Sequence, residues 1–311
     1  MTDSMEYPAS SARLTDVQIN FRDGVSQTDR EMAERSVAAM IARHTAAVAQ
    51  TRAADAETKE LTDAVNAPLV KLIQQDPDAA RALETLRTRQ RQQSDVTDAL
   101  REEAPAALSH DAFDGIQQAM RGMRSLGFVP PYDFSWSWHV REGFPPGTLI
   151  IDRPSGRLAL SARTGPALGG VPGFINAHAG FGVFLRSDVT AQKYPHAILN
   201  PGWFHYSLGT SLWGDATSEG GFELTVFENG QFLVAADQKL WRRRISNGEH
   251  SSLVVPDQLY AGPELQFTQR GGVGYTFNAG IWVYSDYSDG IDGSAALSEL
   301  DGRVTWMWVA G

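Results

Sequence analysis

The chain has 311 residues, 42% apolar and 21% charged, a length and balance that point to two globular domains and exclude wholesale disorder. Its formal net charge of −10 is spread over both halves, 15 Lys/Arg against 20 Asp/Glu in 1–126 and 12 against 17 in 127–311, which leaves no basic face for nucleic acid. With no cysteine, disulfides, thiolate catalysis and Cys-based zinc sites are excluded.

Residues 1–27 read as an extended arm with one short strand, in which Val17, Ile19 and Phe21 alternate with polar neighbours before Asp23-Gly24. The first dozen residues lack a basic stretch followed by an apolar core, so no cleaved leader is expected. No run approaches the roughly 18 apolar residues of a transmembrane helix. The expectation is a protein made soluble, reaching a virion or the extracellular space by a leaderless route, or else staying in the cytoplasm.

From Thr28 the pattern becomes helical. Thr28-Asp-Arg-Glu31 has the form of a capping box. Val37, Met40, Ile41, His44 and Val48 follow at three- and four-residue steps and continue to Leu61 and Val65, with Pro68 as the expected interruption. Asp76-Pro77-Asp78 restarts a helix, and Ser109 to Gly127 closes the region with Gly127 as its cap. This narrow, Ala-rich stripe cannot make a large core alone. It predicts a helical bundle or coiled coil over 28–127 that buries Val37, Met40, Ile41, His44, Val48, Leu61 and Val65 on another subunit, a trimer being favoured, or docks onto a larger assembly.

Pro130-Pro131 marks a linker at 128–133. Beyond it lie all eight tryptophans and about ten short strand-like runs separated by Gly, Pro and Asn turns, which predict an antiparallel β-sandwich of jelly-roll kind over 134–311. The clearest of these is the hairpin about Asn229-Gly230, a pair suited to a type I′ turn. A two-residue loop pairs Phe227 with Phe232, Val226 with Leu233 and Leu224 with Ala235. One face then reads as core. The other, Glu223, Thr225, Phe227, Phe232 and Val234, must be covered by a neighbour or serve as a binding surface. The fold class expected is therefore α+β in segregated halves.

Signals for chemistry are sparse. No Gly-x-Ser-x-Gly elbow is present. None of the seven histidines pairs with another at the spacing that places two imidazoles on one metal, although a site assembled across strands leaves no trace in spacing. Arg242 and Arg244 share one side of a strand, suited to acidic partners on its neighbour. Asp286, Asp289 and Asp292 lie in a Gly-containing segment where a hard cation such as Ca²⁺ would find oxygen ligands, without the EF-hand spacing. Trp213, Tyr284 and Tyr287 stand near turns, and with Asp286 and Asp289 they form the arrangement that stacks on a sugar ring and binds its hydroxyls.

The expected function is a non-enzymatic structural and interaction protein, in which the helical half assembles and the sandwich displays a ligand site, with glycan as the candidate ligand, in the manner of a virion fibre, spike or adhesin. A membrane-acting pore former and a sandwich-fold enzyme acting on sugars are the alternatives.

Overall fold

The computed structural model describes residues 13–78, 81, 85, 125–142, 144, 147–165, 173–210, 214–288 and 294–311. Trp213, Asp289 and Asp292 lie outside the described residues.

Among the described residues, thirteen strands form two antiparallel sheets. The first contains β1 (Arg13–Phe21), β3 (Phe134–Glu142), β6 (Gly173–Arg186), β12 (Gly274–Ser288), β8 (Asp215–Glu228) and β9 (Gln231–Ser246), in the order β1-β3-β6-β12-β8-β9. The second has the order β10-β7-β13-β5-β4, from β10 (His250–Ala261), β7 (Ala191–Gly209), β13 (Ala295–Ala310), β5 (Arg157–Thr164) and β4 (Leu149–Asp152). At its margins β2 (Ser125–Phe128) pairs with β13, and β11 (Phe267–Gln269) with β7. The inward faces meet in one apolar core that includes Phe181, Phe204, Phe222, Phe277 and Ile281. Period-two alternation produces it: along β12, Tyr275, Phe277, Ala279, Ile281 and Val283 point inward, while Thr276, Asn278, Trp282 and Tyr284 share the other face.

The segregated helical half is not what forms. Among the described residues there is one long helix, α1 (Gln27–Gln75), and its first part lies on the outer face of the first sheet of the same chain. Ala33, Val37, Met40 and Ile41 pack with Phe134, Trp136, Trp138 and Phe227, and Val48 packs at the margin. The coiled-coil reading fails because a 3.6-residue stripe shows that a face is buried without showing against what. Five of the seven proposed interface residues therefore face this chain's own sheet, His44 through a hydrogen bond to Glu223. Leu61 and Val65 are exposed.

Local details also shift. Ser26, not Thr28, caps α1: its hydroxyl accepts from Asp29 N at 3.2 Å and donates to the Asp29 carboxylate at 2.7 Å. The helix runs through Pro68. Gly127 sits in β2 rather than capping a helix. The stretch His250–Ala261, which carries Pro256 and reads poorly as a strand, forms β10 along β7.

The Asn229-Gly230 turn has the expected left-handed backbone, φ 48° and 83°. Phe227 pairs with Phe232, but a bulge then moves Val226 opposite Val234 and Leu224 opposite Ala236. The extra residue puts Val234 and Ala236 against the core and leaves Leu233 exposed, reversing the face expected for this arm of the hairpin. The second face of β8 is covered by α1, with Glu223, Thr225 and Phe227 all buried.

Candidate functional site

Four elements meet beneath α1. On β6 the outward positions are Asn176, His178, Gly180 and Gly182; on β12 they include Gly280, Trp282 and Tyr284; on β8 they include Glu223. Trp136 of β3 lies over Gly180 and Gly280, where an added Cβ would come within 2.4 and 2.7 Å of its ring. Opposite Gly220 and Gly221, β9 carries a bulge at Leu240, and Gly221 leaves room for Trp282, whose indole nitrogen a Cβ there would approach to 2.7 Å. Small residues thus let large rings lie flat on the sheet, and the helix closes over them.

At the centre is a histidine–carboxylate cluster. Glu223 Oε1 is 2.8 Å from His178 Nδ1, and Oε2 is 3.0 Å from His44 Nε2 on α1. His178 Nε2 lies 3.1 Å from the Asn176 side-chain oxygen. Its ring stacks on Trp138 at a centroid separation of 3.9 Å and lies 4.3 Å from the His44 ring. Glu223 and His178 are buried, and His44 is partly accessible. Burial opposes charge on Glu223, yet the two imidazoles hold its carboxyl below the usual carboxylate range. Burial, reinforced by His44, pushes His178 down to about 4. At neutral pH the carboxylate is the charged member, and His178 is neutral because an imidazolium there would lose its hydration. His44, His178 and Glu223 are all far apart in sequence, so the spacing of histidines could not reveal them.

His44, His178 and Asn176 of this cluster line a cavity of about 290 Å³. Arg43, His44, Ala47, Val48 and Thr51 line it from the helix, and Asn176, Glu219, Asp237, Lys239, Arg242, Trp282 and Tyr284 from the sheet. Trp282 Nε1 donates to Asp237 at 2.6 Å. Burial raises the Asp237 carboxyl, against the effect of that hydrogen bond. Glu219 binds Lys239 at 2.8 Å and Arg242 at 3.1 Å, so two of the cations at the mouth are compensated. Arg244 faces Asp215 at 3.7 Å, the cross-strand acidic pairing expected of this arginine run.

Of the residues singled out from sequence as a ligand site, Tyr284 lines this cavity, and so do His44 and Val48, read from sequence as interface residues. Asp286 is at its edge, accepting from Tyr284 Oη at 2.8 Å and pairing with Arg52 of α1 at 3.1 Å. A guanidinium is therefore the cation that Asp286 meets. Tyr287 points the other way, into the sandwich core, 5.5 Å from the Phe144 ring. Trp282 and Asp237, absent from that selection, are the wall that sequence reasoning missed. The alternation of β12 placed Trp282 on the face of Tyr284, and this was the available signal.

No family model and no curated protein matches the chain. Among solved structures, it is similar at 10% identity to an isomalto-dextranase of Arthrobacter globiformis T6 complexed with panose, covering 60% of this chain and 36% of that one, with a TM-score of 0.17. A GH31 alpha-xylosidase from Xanthomonas citri is matched over 60% of this chain and 23% of its own, at 10% identity and a TM-score of 0.12. An infectious bursal disease virus structure, Gx strain, is matched over 60% and 42%, also at 10% identity and a TM-score of 0.12. The chain spans less than half the length of each. Likenesses this slight carry no argument about activity, and no helix of the described residues is long and apolar enough to cross a membrane. What stands is a β-sandwich whose outer face, closed by a helix, holds a buried charged cluster beneath an open cavity.

Proposed function

We propose that the protein is a binding protein of sandwich fold, taking a hydroxyl-rich ligand of saccharide type in the cavity between α1 and the first sheet. The observation that carries this reading is the wall formed by Trp282 and Asp237. An indole is fixed by its hydrogen bond to a carboxylate, beside Tyr284 and Asn176 and above a polar floor. Aromatic faces accept the C–H surface of a sugar ring, and nearby carboxylate and amide groups accept and donate hydrogen bonds to its hydroxyls. A volume of about 290 Å³ lies at the small end of ligand sites, suiting one or two rings rather than a long chain.

A panel of mono- and disaccharides titrated against the intact chain, followed by tryptophan fluorescence, tests this reading. At least one member should bind saturably, and Trp282→Ala should weaken it about tenfold, the loss of roughly 1.4 kcal/mol expected when a stacking wall is removed. Absence of binding across the panel, or equal binding by the variant, would sink the proposal. Turnover of a glycoside would instead favour the enzyme reading, for which the raised Asp237 carboxyl is the candidate acid.

A second reading concerns assembly. Beyond Arg52 every described side chain of α1 whose burial is assigned is exposed, Leu61 and Val65 among them. A helix segment in water gains little from its own hydrogen bonds. We infer that this part of α1 meets a second copy of the chain, so that the sandwich is displayed from an oligomer. Light scattering checks this: a mass above 34.0 kDa that falls on Leu61→Glu/Val65→Glu supports it, and a monomer refutes it.

A further inference from the structure

We propose that His44, His178 and Glu223 form a binding site for one divalent transition-metal ion, zinc by the chemistry of its donors, with one coordination position open to the cavity. This inference does not depend on the class of ligand that the cavity takes.

The first support is the donor set. Two imidazole nitrogens and a carboxylate are borderline ligands that suit Zn²⁺, and three protein ligands with a free position are the pattern of an open site. Their ligand atoms all lie within 4.8 Å of one another. About a tetrahedral zinc with bonds near 2.0–2.1 Å, neighbouring ligand atoms stand roughly 3.3 Å apart. The observed separations of 2.8 and 3.0 Å, one to each oxygen of the Glu223 carboxylate, are a few tenths of an ångström shorter than this, and the two imidazole nitrogens lie within the 4.8 Å that bounds the whole set.

The second is the orientation of the donors. Metal-binding histidines are commonly fixed through the other ring nitrogen, by a hydrogen bond to an oxygen. His178 has this arrangement: Nε2 faces the Asn176 side-chain oxygen while Nδ1 faces Glu223, and Trp138 stacks on the ring. With an ion bound, a proton on Nε2 donated to Asn176 would free the Nδ1 lone pair, and the ion would take the place of the Nδ1–Glu223 hydrogen bond.

The third is charge. Glu223 is buried with two imidazoles as its hydrogen-bonding partners. A buried carboxyl group needs polar partners or a cation beside it. Lys239 and Arg242 are spent on Glu219, and the Arg43 guanidinium lies over the Phe232 ring, 4.8 Å from its centroid. A divalent ion would compensate Glu223. The open side is toward the cavity, because His44 and His178 both line it.

The test uses the intact chain, stripped with chelator and titrated with Zn²⁺ in competition with a chromophoric chelator, and then with Co²⁺ as a spectroscopic probe. Stoichiometric binding of one ion is expected, with Co²⁺ absorption of a four- or five-coordinate site. His44→Ala, at a partly accessible helix position, should keep the fold by circular dichroism and weaken zinc about 100-fold. His205→Ala, which removes an imidazole bonded to Glu299 on the other sheet, should leave binding unchanged. No bound ion, or an affinity that His44→Ala leaves unchanged or that His205→Ala lowers equally, would overturn the proposal. If Glu223→Gln unfolds the chain, the His44→Ala result still decides.

Discussion

Gly280 lacks a side chain where the ring of Trp136 needs the space, and the same holds for Gly180 on the next strand. Gly280→Ala should therefore cost about 1–3 kcal/mol, read as a lower urea midpoint, because the neighbouring atoms include backbone that cannot move aside. Tyr132 makes a different prediction. Its hydroxyl donates to the Val304 carbonyl at 2.8 Å, and burial pushes its ionisation well above the usual phenol range. The folded chain keeps that proton where the unfolded chain releases it, so the contribution is complete below about pH 10 and is lost as pH rises further. Stability should fall as pH rises above about 10, and Tyr132→Phe should lose about 1 kcal/mol at neutral pH while flattening that fall. At this scale the sequence was least legible. His44 and Glu223 are 179 residues apart and His178 and Glu223 are 45 apart, a proximity that only the packing of a helix on two strands creates.

The hairpin at Asn229-Gly230 was legible as an element because its turn requires positive φ at two successive residues, a demand visible in composition. Its register was only partly legible, since nothing in the alternation of Gln231–Ala235 announces the bulge that turns Leu233 outward. Gly230 has a second constraint: a Cβ would come within 2.5 Å of Arg35 on the helix. Gly230→Ala should thus destabilise by about 1–3 kcal/mol, through the turn and the helix contact together, whereas Asn229→Gly should be nearly neutral. Thermal melts of the two variants separate these outcomes, and equal losses would contradict the asymmetry. For α1 the stripe Val37, Met40, Ile41 was read correctly as a buried face, but its partner was not. The aromatic partner surface on β3 and the covered face of β8 were each visible separately, and no local rule joins them to the helix.

The described residues form three layers, α1 on one sheet and that sheet on another, and the candidate site lies in the cavity between the first two. The turn-separated strands made the sandwich legible, while the outer layer was assigned to assembly instead. Val37→Asp places a charge between α1 and Trp136 and Trp138, and should lower stability by about 3 kcal/mol or more while exposing the indoles, seen as a red-shifted fluorescence spectrum. The central claim is that this cavity receives a saccharide-type ligand. Saturation-transfer NMR on wild type and Trp282→Ala tests it most directly, using the saccharide panel at equal protein concentration. The account predicts transfer to the ring protons of at least one sugar in the wild type and its loss in the variant. Transfer to no sugar, or the same transfer in both proteins, would contradict it.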